Sequence, residues 1–199
     1  MFGVRWEDGG RVGGGFSVKV DGENRLFSRS IIESEFDHAV RKGLSFNVNT
    51  EFLTITGSSE TPIMYLKSNE DRDVVLSAWF IGTDNSSGGT RAGLMRVYFN
   101  PTAGSIISSG TDVTPVNRQG GSSNTIDLDV KAGGDGFTAT GFNPTSVLFQ
   151  TQGSNARTFG NVQLALKKGS SVVVTYLPNG AQPVEIYTGF QLYISEVAD

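Results

Sequence analysis

His38 is the only histidine among 199 residues, and cysteine is absent. A Ser-His-Asp hydrolase would have to take this one imidazole as its base. A zinc site would be left with carboxylates, because the metal's usual protein donors are thiolate and imidazole. His38 lies in SIIESEFDHAVRKG, outside the part of the chain that reads as β, and is expected to be an ordinary helix-surface residue. Carboxylates come near one another as Glu33/Glu35, Asp71/Asp73 and Asp127/Asp129. Two carboxyl groups facing each other across a cleft can hydrolyse a glycosidic bond. Here each pair shares one strand face or one turn, the arrangement of solvated side chains. Asp84, Asn85 and Ser86 offer oxygens to a hard cation such as Ca²⁺ but lack the spaced acidic ladder of a calcium loop. The run GGRVGGG at Gly9–Gly15 follows no apolar strand and precedes no Lys-Ser/Thr, so it is not a phosphate loop. The expectation is a chain with no catalytic residues, no cofactor and no metal.

The elements that would have to position any site are strands. Gly is 26 of 199 residues and charged residues are 18%, against about 7% and 25% in an average chain. Short runs of β-branched and aromatic residues between Gly, Asn, Asp and Ser clusters mark strands. Three such runs fill Thr61–Pro101: Pro62–Leu66, Val74–Ile81 and Leu94–Phe99. The middle run is apolar in both phases, with Val74, Leu76, Ala78 and Phe80 in one and Val75, Trp79 and Ile81 in the other. A strand apolar on both faces is covered on both, which points to assembly. Trp79 reads as core.

Phe46–Ile55 alternates with a phase slip at Thr50–Phe52, which predicts a bulge or bend. Further strands are expected at Ser105–Ser108, Thr125–Val130, Ser146–Gln150, Val162–Lys167, Ser171–Leu177 and Val184–Ser195. In the last, Val184, Ile186, Phe190, Leu192 and Ile194 share one face, and Glu185, Tyr187, Gln191 and Tyr193 the other. About nine strands without intervening helices predict an all-β fold, a jelly-roll-like antiparallel β-sandwich, because the long connections Thr102–Ser123 and Lys131–Pro144 suit crossings between two sheets. One helix is expected within Ser30–Gly43. Ser30 and Glu33 match a capping box, Ile32, Phe36, Ala39 and Val40 share a face, and Gly43 sits at the stop.

The chain thus divides into an arm and short helix over 1–42 and a β domain over 43–199. The arm carries Phe2, Val4 and Trp6 on a glycine-rich tether that cannot bury them itself, so they are candidate contact residues. Tyr187 and Tyr193, on the outward phase of the last strand, are candidates to pack on a neighbouring subunit, with stacking on sugars as the alternative. A net charge of −4 argues against a nucleic-acid partner, which needs a basic footprint. No apolar run is long enough to span a membrane. Met1–Gly15 lacks the apolar core of a signal peptide, and the absence of cysteine suits folding in a reducing cytoplasm.

Four segments carry a resemblance: YLKSNE at Tyr65–Glu70, NPTAGS at Asn100–Ser105, GSSNT at Gly121–Thr125 and KGSS at Lys168–Ser171. In this order, ahead of a closing strand, they resemble structural proteins of tailed-bacteriophage virions. The resemblance spans about Ser30–Asp199. It implies a β-sandwich virion component, commonly oligomeric, made in the host cytoplasm and incorporated into the particle. A capsid decoration (cement) protein is the first expectation, with the major capsid protein and other virion subunits as partners and a homotrimer as its state. The alternative is a tail-spike, head-fibre or receptor-binding module for host surface glycans. The four segments read as turn and strand-edge signatures and transfer no active-site residue.

Overall fold

The computed structural model describes residues 34–84, 93–100, 109–134, 146–150, 158–179 and 183–196. Residues 34–199 form one compact unit. Phe2, Val4, Trp6 and the expected Ser105–Ser108 strand lie outside the described residues.

The order of elements is α1 (Glu35–Arg41), β1 (Ser45–Asn49), β2 (Leu53–Ile55), β3 (Thr61–Ser68), β4 (Val74–Asp84), β5 (Gly93–Phe99), β6 (Thr111–Asp112), β7 (Val116–Asn117), β8 (Leu128–Ala132), β9 (Ser146–Gln150), β10 (Thr158–Leu166), β11 (Ser171–Pro178) and β12 (Val184–Ile194). One sheet runs β10-β4-β12-β1-β7, with β2 also on β12; the other runs β6-β8-β3-β11-β5-β9. All these pairings are antiparallel. Named B to I in chain order, the eight principal strands β1, β3, β4, β5, β9, β10, β11 and β12 form a BIDG sheet and a CHEF sheet. That is the jelly-roll order, two Greek keys folded into a sandwich. The connection from β5 to β9 adds β7 beyond β1 and β8 with β6 beyond β3, so one insertion widens both sheets.

The core lies between the sheets. It includes Phe46 and Val48 of β1, Leu66 of β3, Met95 and Val97 of β5, Val172, Val174 and Tyr176 of β11, and Val184, Ile186, Phe190, Leu192 and Ile194 of β12. The inward phase expected for β12 is therefore the observed one. The phase slip expected at Thr50–Phe52 is the break between β1 and β2, which lie end to end along β12. There Thr50 Oγ1 accepts from the Thr188 amide at 2.9 Å and donates to the Thr188 carbonyl at 3.2 Å, holding the bend against the central strand.

The two-faced reading of β4 needs correction. Ser77 is an extra residue in the ladder, with Leu192 opposite Leu76 and Gln191 opposite Ala78. A bulge of this kind shifts the side-chain phase. Val74, Leu76, Trp79 and Ile81 consequently all enter the core, and the Ser77 hydroxyl donates to the Gln191 carbonyl at 3.0 Å. Strict alternation had divided these four residues between two faces. The apolar surplus that suggested an outer partner for β4 is mostly core.

The helix is shorter than its pattern. Ser34 is extended (φ −68°, ψ 149°) and caps α1 by accepting from the Asp37 amide, so the cap is Ser34 rather than Ser30. Gly43 just past the helix has φ 69°, the left-handed stop that glycine supplies. The strand expected over Thr125–Val130 begins instead at Leu128. Upstream of it the Asp127 amide donates to Glu70 Oε1 at 2.7 Å and the Asp127 carbonyl accepts from the Asn69 amide at 3.0 Å. These bonds leave the chain alternating in pattern but outside the ladder. The two-residue strands β6 and β7 have no pattern to read, since their pairing is set by β8 and β1.

Candidate functional site

Among the described residues, one polar cluster is centred on Glu60, just before β3. Its Oε2 accepts from Arg96 Nη1 at 2.6 Å. Its Oε1 accepts from Tyr98 Oη at 2.9 Å and from Thr175 Oγ1 at 2.5 Å. The positions follow from strand periodicity: Met95 and Val97 of β5 and Val174 and Tyr176 of β11 point to the core, so Arg96, Tyr98 and Thr175 face outward together. Thr175 and Arg96 are register partners, and β11 lies between β3 and β5. One carboxylate therefore ties the entry to β3 to β11 beside it and to β5 beyond. Tyr98 is 2% exposed. Burial, then the bond to Glu60, pushes its phenol up to about 12. Burial alone would lower the Arg96 pKa, but Glu60 and Tyr98 outweigh it and the net shift is upward. A cation kept charged and a phenol kept neutral, both bonded to one carboxylate, make a fixed cross-strand tie. Three donors already occupy the carboxylate. The signal in the sequence was a lone Glu before a strand, with Arg96 and Tyr98 two apart, and it is visible only once the strand order is known.

Described residues of the four segments, with Asp71, Asn117 and Gln119, form two clasps. At one end of the CHEF sheet, the Gly169 amide donates to the Ser68 carbonyl at 2.7 Å and the Ser68 amide to the Ser170 carbonyl at 2.9 Å. The Asn100 amide donates to the Ser171 carbonyl at 2.7 Å, and Asn100 Oδ1 accepts from the Ser171 amide at 2.8 Å. Lys168 Nζ donates to Asp71 at 2.6 Å. The pairing with Lys168 holds the Asp71 carboxyl below the usual range. The second clasp grips the end of α1. Asn117 Nδ2 donates to the Gly43 carbonyl at 2.8 Å, Asn124 Nδ2 to the Lys42 carbonyl at 3.1 Å and Gln119 Nε2 to the Arg41 carbonyl at 2.9 Å. Ser122 lies over Gly43, where a β-carbon would collide with its hydroxyl. The last carbonyls of a helix lack intrahelical partners, and the amides of this insertion supply them.

The sequence-derived candidates do not assemble into one site. Tyr193 is 8% exposed. Its hydroxyl donates to Glu35 Oε2 at 3.1 Å, and its ring meets Phe36 edge-on at 5.9 Å. Its partner is the chain's own α1, which corrects the expectation of an outward contact residue. Burial, reinforced by Glu35, raises its pKa to about 12. Tyr187 is half-buried. It meets Phe52 edge-on at 4.8 Å and lies across Gly82, its register partner, where a β-carbon would fall inside the ring. Phe52 is 56% exposed. His38 Nε2 lies 2.8 Å from Glu196 Oε2, both side chains 43% exposed. Trp79 is core, as expected. Asp127 is engaged with Asn69 and Glu70 through its backbone and side chain. Among the described residues, no group of three or more His, Asp or Glu could hold a metal ion, and no helix is long and apolar enough to cross a membrane.

No family model, curated protein or solved structure matches the chain.

Proposed function

We propose that this chain is a non-enzymatic structural component of a bacteriophage virion, foremost a capsid decoration protein that binds and stabilises the assembled head. The observation that carries the reading is where the resemblance falls. Of the segments that resemble phage virion proteins, Ser68, Asn100, Ser122, Asn124 and Lys168–Ser171 take part in the two clasps, which fix turns and a helix end by hydrogen bonds. The jelly-roll order supports it in a weaker way, since capsid domains use this architecture but lectins and cupins do as well. A rigid sandwich is suited to present faces to a shell, and an apolar arm is suited to add contact area beyond them.

The partners in this reading are the major capsid protein and neighbouring virion subunits, with the chain as a homotrimer. Quantitative protein analysis of purified particles tests it. Hundreds of copies per particle are expected. A dozen or fewer would favour the tail-spike or head-fibre alternative, and absence from particles would overturn the reading. Deleting residues 1–15 should leave the sandwich folded and weaken co-sedimentation with undecorated heads by about tenfold or more. Equal retention of truncated and full-length protein would remove Phe2, Val4 and Trp6 from the attachment. Light scattering that gave a stable monomer at micromolar concentration would overturn the trimer.

A further inference from the structure

Helix α1 is held in two chemically different ways. Its C-terminal end sits in the amide clasp of Asn117, Gln119 and Asn124. Its N-terminal half lies against the end of β12 through Glu35, which accepts from Tyr193 Oη at 3.1 Å and from Ser195 Oγ at 2.7 Å. His38 faces Glu196, and Phe36 lies between the Tyr193 ring and the Arg118 guanidinium, 4.8 Å away. Apolar burial contributes little, because Ala39 is the only buried residue of the seven. A seven-residue helix is not stable by itself, and an element with few buried apolar contacts opens below the global unfolding free energy. The strands beneath are of the opposite kind: Phe190, Leu192 and Ile194 of β12 are 2% exposed or less.

We infer that α1 is a hinged strap. The Arg41–Gly43 clasp is its fixed end and the Glu35 contact its latch, and it opens while the sandwich stays folded. Opening uncovers Tyr193 and the strip of β12 around it. The tyrosine that is internal in the closed subunit thereby becomes available as a surface only in the open one. The device depends on the fold and not on the virion reading.

Native-state hydrogen exchange on the full chain tests this. The amide of His38, bonded to the Ser34 carbonyl, should exchange about a hundredfold faster than those in the β12 ladder. Glu35→Gln keeps the shape of the latch and removes its charge. It should speed exchange in α1 severalfold and leave β12 unchanged, and Ser195→Ala should act in the same direction more weakly. Exchange of α1 and β12 at one common rate, or a substitution that accelerates both equally, would show that the helix opens only with the whole domain and would overturn the strap.

Discussion

Asn100 and Ser171 hold each other by two reciprocal bonds, amide to carbonyl at 2.7 Å and amide to side-chain oxygen at 2.8 Å. Asn100 does so at φ 46°, the only described non-glycine residue with positive φ. Asparagine tolerates this region better than other side chains with a β-carbon. Two demands meet at this position: a left-handed backbone and an acceptor of fixed reach.

Substitutions at Asn100 should separate those demands. Asn100→Asp keeps the acceptor, Asn100→Gly keeps the backbone freedom, and Asn100→Ala keeps neither. The expected order of stability is Asn, then Asp or Gly, then Ala. The alanine variant should be lower by about 1–3 kcal/mol for the unpaired Ser171 amide and the strain. Urea denaturation of the four proteins measures it, and an alanine variant as stable as the parent would contradict it.

Removing the Glu60 carboxylate should cost more than removing a surface charge. Glu60→Ala leaves Arg96, Tyr98 and Thr175 facing outward from one sheet without their common acceptor. Hydrogen bonds to a charged group contribute about 1.5–3 kcal/mol each when partly buried. The Glu60 and Arg96 side chains are 15% and 26% exposed, so solvent screens part of this, and a loss of roughly 2–3 kcal/mol is expected. A double-mutant cycle between Glu60→Gln and Arg96→Met should give a coupling above about 0.5 kcal/mol. Additive effects would mean that the ion pair is incidental.

Gly82 and Gly189 should differ in tolerance although both lie beneath aromatic rings. At Gly82 the nearest atoms to a β-carbon all belong to the Tyr187 side chain, and a half-buried ring can turn aside. At Gly189 it meets the Phe80 ring at 2.5 Å and the Val48 carbonyl at 2.6 Å, and backbone cannot move away without breaking the β1–β12 ladder. Gly189→Ala should cost about 1–3 kcal/mol and Gly82→Ala less. Pairing Gly82→Ala with Tyr187→Ala should recover most of the smaller loss, and the thermal midpoints of the variants report it.

Alkaline pH should destabilise the sandwich through its phenols. Tyr98, Tyr176 and Tyr193 are each raised to about 12, burial being the first cause in all three. The unfolded chain ionises near 10, so between these values the native state holds more protons than the unfolded state. The stability slope with pH is then negative. The contribution is complete below pH 10 and is lost as pH rises toward 12. Melting temperatures should fall through this window, and Tyr98→Phe should make the fall shallower. An unchanged slope in that variant would show that Tyr98 titrates normally.

The sequence was readable where burial is one-sided and local. β12 keeps a single inward phase from Val184 to Ile194, and its alternation predicted its core face. The break at Thr50–Phe52 was readable because alternation visibly slips there. The bulge at Ser77 was not, since apolar residues continue through it and hide the change of phase. Tyr193 was misplaced for a related reason: strand periodicity gives the face but not what lies on that face, and α1 reaches it from 158 residues away in the chain. Glu60 escaped because its partners belong to strands that come together only through the jelly-roll order. Parts of the clasps, such as Asn100, Asn124 and Lys168–Ser171, stood in the four segments, and their work in holding backbone ends emerges only from the hydrogen bonds.

The connection from β5 to β9 finishes the two sheets unequally. On the flank it builds, each sheet ends in a strand of two residues, β7 and β6, and the Lys131–Asp112 pair ties β6 to β8. On the opposite flank the sheets end, among the described strands, in β10 with nine residues and β9 with five. Very short edges offer little template for another chain, whereas long ones can accept an added strand. Polymerisation through backbone pairing would therefore be directional, starting from the β9–β10 flank. A proline placed in β10 would be a more effective guard against fibril growth than any substitution on the flank already blunted.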